Sequence, residues 1–218
     1  MYRSSIVKNV VFLTLLPIFS IAILLQPMSP LLPLDVEYVT VNVTVLKWNG
    51  MPLPNASLVA VLEGGGEVRN ETNAEGKATL EIPYYNETVY LLTFYDGICV
   101  NETVFLLPNA TSINITVTAK VYDIPVRVFD VDGYGVPRVK VSLWWYGVVS
   151  KWYRKNTTDT DGFTLLCNVP EVSASLELTK AYGSASVLLY RDREVCINST
   201  TTEMTFYLNL YTLNLTVH

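Results

Sequence analysis

The chain has 218 residues, half of them hydrophobic and only 16% charged, with a formal net charge of −5. Such a composition can bury a core and excludes a disordered polymer, while the acidic balance argues against binding phosphate backbones or anionic membrane surfaces through charge. The one histidine, the terminal His218, excludes most general-base, triad and zinc arrangements. In chain order, Arg3 and Lys8 precede an apolar run from Val10 to Leu25 that only Pro17 breaks. This is the charge-then-apolar order of an export signal, so residues 1–25 are expected to form a hydrophobic signal or anchor helix. Cleavage near Ser20-Ile21-Ala22 and retention as a membrane anchor both fit, and either one exports everything after Asp35. An uncleaved segment would make the membrane a partner. Residues 26–35 place Pro27, Pro30 and Pro33 at a period of three, which suits a semi-rigid stalk or an irregular linker.

Beyond the stalk, Val, Thr, Tyr, Leu and Ile recur and no stretch has a helical period, so the exported part is predicted to be all-β. In Val39–Val45 every odd residue is Val, which turns Asn42 and Thr44 to the outer face of a strand. Ile113, Ile115 and Val117 do the same around Asn114, and Leu213, Leu215 and Val217 around Asn214. These asparagines belong to the strongest signal in the chain. Ten of its fifteen Asn lie in N-x-[ST]: Asn42, Asn55, Asn70, Asn86, Asn101, Asn109, Asn114, Asn156, Asn198 and Asn214. Chance predicts about two or three such sequons at this Ser and Thr content, so a heavily N-glycosylated surface is expected.

The chain also repeats itself. NGMPLPNASLVAV, TNAEGKATL and YLLTFYDG (Asn49 to Gly97) are followed by YGVPRVKVSLWWY, TDTDGFTLL and LELTKAYG (Tyr134 to Gly183). Aligning Gly50 with Gly135, Pro52 with Pro137, Ser57-Leu58 with Ser142-Leu143 and Gly76 with Gly162 gives an offset of 85 to 86 residues. That length is a domain, and short strands between Gly, Pro, Asn and Asp turns indicate a β-sandwich. The sequence D/N-G-x-P, strand, T-D/N-x-x-G, then a strand ending in Y-x-G resembles carboxypeptidase regulatory-like domains and their relatives, the transthyretin-like (prealbumin-like) folds and the B-type repeats of surface adhesins. The resemblance covers roughly residues 36 to 210 and implies a seven-strand Ig-like sandwich in each of two tandem copies, with no peptidase activity. The expected domains are residues 36–119 and 121–218, the second with an extra C-terminal strand. Sequon density and acidity further resemble archaeal envelope proteins.

The tail departs from the repeat. Met204, Phe206, Leu208 and Leu210 alternate on one parity, and Leu213, Leu215 and Val217 on the other. Either a bulge lets the tail close its own sandwich, or a terminal strand, Tyr211 to Val217 or else Val36 to Val45, pairs with a neighbouring subunit.

Among candidate sites, Cys167 and Cys196 are expected to form a disulfide, leaving Cys99 either buried as a small apolar residue or paired between molecules. Trp144, Tyr146, Trp152 and Tyr153 flank a turn and read either as cross-strand aromatic pairs or as a platform for sugar or protein. Asp130-Val-Asp132-Gly and Asp159-Thr-Asp161-Gly lack the bidentate Glu of a calcium loop, and turn chemistry accounts for both. Glu63-Gly-Gly-Gly-Glu67 lacks the Lys and helix of a phosphate loop. No cofactor, metal or nucleic acid is expected. The sequence points to a non-enzymatic, extracellular structural protein of the cell surface, membrane-anchored or secreted: a filament subunit, envelope spacer or adhesion module. Its expected partners are further copies or other envelope proteins. The alternative is a carbohydrate- or protein-binding module that uses the hairpin 144–153.

Overall fold

The computed structural model describes residues 37–84, 87–147 and 150–210. The leader, the stalk, Asn86 and the tail from residue 211 on lie outside the described residues, which contain no helix and therefore none long and apolar enough to cross a membrane.

The first half comprises β1 (Tyr38–Leu46), β2 (Ser57–Leu62), β3 (Glu67–Glu71), β4 (Lys77–Pro83), β5 (Thr88–Tyr95), β6 (Ile98–Leu106) and β7 (Ser112–Thr118). They form a three-stranded sheet, β4-β1-β7, facing a four-stranded sheet, β3-β2-β5-β6. The second half comprises β8 (Val121–Asp130), β9 (Val139–Tyr146), β10 (Lys151–Thr157), β11 (Phe163–Pro170), β12 (Val172–Tyr182), β13 (Ala185–Ile197) and β14 (Met204–Leu208). Its sheets, β11-β8-β14 and β10-β9-β12-β13, repeat the first arrangement strand for strand.

Alternation drives the packing. Val39, Val41, Val43 and Val45 are buried, which turns Thr40, Asn42 and Thr44 outward. On the core side β1 meets β4 antiparallel (Val41 opposite Leu80) and β7 in parallel (Val43 opposite Ile115). Across the core stand Leu58, Ala60 and Leu91 of the four-stranded sheet. Each such side chain contributes about 1.5–3 kcal/mol by leaving water. The second core gathers Ile124, Val126, Val128, Leu143, Trp145, Leu176 and Leu178. Because β1 lies in the middle of its own sheet, it is not a strand for exchange with a neighbour, which corrects the Val36–Val45 alternative.

The repeat is structural, but its register differs from the sequence alignment. The Val45 N–H donates to Gly76 O (2.7 Å) and the Leu53 N–H to Val45 O (3.0 Å); the Val128 N–H donates to Gly162 O and the Val136 N–H to Val128 O (both 2.8 Å). Val45 thus corresponds to Val128 and Leu53 to Val136, an offset of 83 residues, whereas Gly76 and Gly162 are 86 apart. Gly50 corresponds to Gly133, both with positive φ, rather than to Gly135. Leu58, opposite Asn70, corresponds to Val141, opposite Asn156. The β9–β10 hairpin holds the three additional residues: it continues past the Trp144–Tyr153 pair to Tyr146–Lys151, whereas β2–β3 ends at Val61–Glu67. A shift of two residues keeps every apolar side chain on its face, so alternation cannot detect it.

The two halves meet closely. The Trp48 N–H donates to Val121 O of β8 (3.1 Å), and Lys120 in the connection donates to Val100 O (3.0 Å) and accepts from the Glu171 N–H (2.8 Å). Lys47 Nζ lies 2.6 Å from Asp123 Oδ2, which also accepts from Asn49 Nδ2 at 3.2 Å. On another side of the junction Arg154 pairs with Asp96 and reaches the Tyr95 hydroxyl at 3.4 Å. Ile98 packs against both cores.

Candidate functional site

The sequons come first, because they dominate the sequence. Of the ten, Asn86 and Asn214 lie outside the described residues. The other eight all reach the surface: Asn55, Asn70, Asn109, Asn114 and Asn156 are exposed, and Asn42, Asn101 and Asn198 are half-buried. Asn42 and Asn114 are register partners on the outer face of the β4-β1-β7 sheet. The opposite outer face, on β2, β5 and β6, holds Val59, Val61, Tyr90, Val104 and Leu106. Of these Val104 and Leu106 are more than half exposed.

Two sequons have a structural duty that sequence reading missed. The Thr72 hydroxyl donates to Leu53 O (2.7 Å) and accepts from the Ala56 N–H (2.9 Å); the Thr158 hydroxyl donates to Val136 O (2.7 Å) and accepts from the Val139 N–H (2.9 Å). Both threonines are buried. Their asparagines cross to the facing sheet, Asn70 Nδ2 donating to Thr79 O (2.6 Å) and Asn156 Nδ2 to Leu165 O (3.0 Å). The signal was present as N-x-T-[ND]-x-x-G at the same place in both copies. In the turn that follows, Asn73 Oδ1 accepts from the Glu75 and Lys77 amides and Asp159 Oδ1 from the Asp161 and Phe163 amides. Asp130 Oδ1 likewise accepts from the Asp132 and Tyr134 amides, so both Asp-Gly segments are turns closed on their own backbone. Among the described residues no group of three His, Cys, Asp or Glu side chains converges as metal ligands would.

These contacts separate two roles of one residue. Thr158→Val should lower stability by about 1–3 kcal/mol, because it strands a buried N–H and a buried carbonyl. Thr158→Ser should retain most of it. Asn156→Gln abolishes the same sequon but keeps the hydroxyl, so it should cost less than Thr158→Val. Urea denaturation of the three variants checks this, and equal losses for Asn156→Gln and Thr158→Val would contradict the assigned duty of the hydroxyl.

The aromatic hairpin divides by face. Trp144 and Tyr153 are direct cross-strand partners, and Tyr146 stands opposite Lys151. These three rings share the outer face, where Tyr146 and Tyr153 are mostly exposed. Lys151 Nζ sits 4.9 Å from the Trp144 centroid and 5.9 Å from that of Tyr146, and Lys155 Nζ sits 5.4 Å from that of Tyr153. The platform is therefore roofed by ammonium groups, each such contact contributing about 0.5–1 kcal/mol at an exposed site. Trp152 is not part of it. It pairs with the buried Trp145 on the opposite parity and packs against the second core.

The cysteines correct two expectations. Cys99, Cys167 and Cys196 are all free and exposed. Cys167 belongs to β11, at a bulge between Leu166 and Val169, and Cys196 belongs to β13 of the facing sheet, with its Sγ 3.6 Å from Ser173 Oγ. Exposed side chains of facing sheets point away from the shared core. Facing sheets stack about 10 Å apart, beyond the reach of a disulfide. Cys99 is not buried either; its Sγ lies against Asn101 O at 3.5 Å.

At the junction, electrostatics follow burial. Burial pushes the Asp96 carboxyl above its ordinary range, and the pairing with Arg154 offsets this only in part. For Asp123, burial also opposes ionisation, but the Lys47 ammonium, the Asn168 amide and the Asn49 amide together hold it below the ordinary range. Beside Arg154 a groove of about 850 Å³ opens between the halves, lined among others by Asn55, Val59, Phe94 and Trp152.

Over the described residues the fold is thus all-β, with four sheets paired into two sandwiches. No family model and no curated protein matches the chain. Solved structures similar to it include the shaft pilin SpaA of Lactobacillus rhamnosus GG (D295N mutant; 10% identity, 79% of this chain and 97% of that one, TM-score 0.43). Another is GBS52, the minor pilin of Streptococcus agalactiae (13% identity, 83% of this chain and 100% of that one, TM-score 0.36).

Proposed function

We propose that this chain is a non-enzymatic, N-glycosylated structural protein of the cell surface, a filament subunit or envelope spacer. The observation that carries the reading is the placement of the sequons: all eight described asparagines reach the surface. Carrier residues in buried positions would have argued for polar strand positions alone. The close junction between the halves supports a spacer, since few freely rotating bonds separate them. On the outer face of β5 and β6, Tyr90, Val104 and Leu106 give an exposed apolar surface for contact with further copies or other envelope proteins. In the second sandwich β14 holds the position that β7 holds in the first. The candidate exchange strand, residues 211–217, lies outside the described residues. On this reading the leader exports the chain and, if retained, ties it to the membrane.

Intact-mass spectrometry of protein from its native cells tests the glycan coat: material well above 24.4 kDa is expected, and fewer than three occupied asparagines would overturn it. Size-exclusion of the ectodomain tests the structural role, with ladders expected. A binding module is the second reading, favoured by the shared face of Trp144, Tyr146 and Tyr153. A clean monomer that binds a glycan array through that face would replace the first reading with the second.

A further inference from the structure

The groove between the two halves has features of a saccharide site. Its floor is the outer face of β2 and β5, where Val59 and Phe94 stand side by side with Ser57. Its far wall is Trp152, contributed by the other sandwich, whose indole nitrogen is buried and finds no acceptor among the described residues. Polar groups complete the rim: Glu71 stands opposite Ser57 in the strand ladder, and Asp96 lines the same space. Apolar floor, aromatic wall and a few polar groups are the mixture that binds small organic ligands, and the volume of about 850 Å³ lies in their usual range. The charged groups on the rim, Arg69, Glu71 and Asp96, are of both signs, and Asp96 is already paired with Arg154, so the lining selects no ion. A neutral polyhydroxylated molecule suits the lining: its C–H faces can lie on Phe94 and Trp152 while its hydroxyls meet the rim.

The occupant is indicated by the groove itself, because Asn55, the carrier residue of a sequon, forms part of its wall. Asn55 is exposed, adopts a left-handed backbone (φ 57°) and is fixed by its N–H donating to Thr72 O at 2.9 Å. We propose that the glycan attached to Asn55 folds back into this groove, packs against Trp152 and so braces one sandwich against the other. A sugar tethered at the wall has an effective concentration in the millimolar range, which a free saccharide would have to exceed. The inference rests on the glycosylation proposed above. It distinguishes Asn55 from Asn114, whose glycan would stand on the open face of the β4-β1-β7 sheet.

The test uses native glycoprotein and an amidase that releases N-glycans, with release at each site followed by glycopeptide mass spectrometry. The glycan at Asn55 should leave at least tenfold more slowly than that at Asn114 in folded protein, and at the same rate after denaturation. Trp152→Ala should remove the difference. Should that variant fail to fold, hydrogen exchange in wild-type protein serves instead: removing the Asn55 glycan with Asn55→Gln should speed exchange around Phe94–Gly97 and Trp152–Arg154, while Asn114→Gln should not. Equal release rates, or no change in exchange, with Asn55 occupied would overturn the brace and leave the glycan coat standing. An unoccupied Asn55 beside an occupied Asn114 would also overturn it. Loss of occupancy at every site would instead refute the reading beneath it.

Discussion

Replacing Gly162 with Ala is expected to lower the stability of the second sandwich by about 3 kcal/mol or more, among the largest effects of a single methyl group in this chain. Two causes act together. Gly162 has φ +74°, where a side chain meets its own backbone, and a Cβ there would also sit inside contact distance of the Val128 carbonyl, the Val136 nitrogen and the Gly135 Cα. Those are backbone atoms held by the Val128–Gly162 and Val136–Val128 hydrogen bonds, so none can yield cheaply. Gly133 provides the control. Its φ of +83° is similarly left-handed, but nothing lies within 4 Å of its Cβ position. Gly133→Ala should therefore cost only about 1–2 kcal/mol, the backbone part alone. Guanidinium denaturation of both variants reads the difference. If Gly162→Ala proves no worse than Gly133→Ala, the close approach has no energetic weight.

The second large effect is expected at Trp145, which is 1% exposed at the centre of the second core. Trp145→Ala should cost about 3–5 kcal/mol through lost burial and the cavity left behind. The indole nitrogen has no partner among the described residues, so nothing is lost with its N–H. Trp145→Phe should accordingly be much milder. Trp144 is adjacent in sequence and opposite in direction, with its ring under Lys151 on the outer face. Trp144→Ala should cost about 1 kcal/mol or less. Thermal unfolding of the three variants decides it, and equal losses at Trp144 and Trp145 would mean that the faces of β9 are assigned the wrong way round.

The inward direction of Trp145 could be read from the sequence because Val139, Val141 and Leu143 set a parity that one strand must keep. The same rule placed Asn42 and Asn114 outside. It did not carry across the turn to Trp152, since the register of a hairpin depends on its loop, and no residue pattern there fixes the loop length. Nor could it separate an offset of 83 from one of 85, because the pleat returns every side chain to its face after two residues. Cys167 and Cys196 were misjudged for a related reason: chain separation carries no information about which side of a sheet a thiol occupies. Thr72 and Thr158 were legible only as halves of sequons. Their burial follows from the connection before β2 and β9, whose free amide and carbonyl need a hydroxyl between them, and that need becomes visible only once the strands are folded.

The parallel pairing of β1 with β7, and of β8 with β14, bears on how the chain carries load. Each sandwich is entered at the start of its first strand and left at the end of its last, and those two strands are neighbours running the same way. Tension along the chain therefore drags one past the other lengthwise. The hydrogen bonds between them must slide and fail together, instead of opening singly from one end as in an antiparallel hairpin pulled at its open ends. With the two clasps of the described residues in series and a connection of only Ala119 and Lys120 between them, a lengthwise pull would meet shear in both sandwiches.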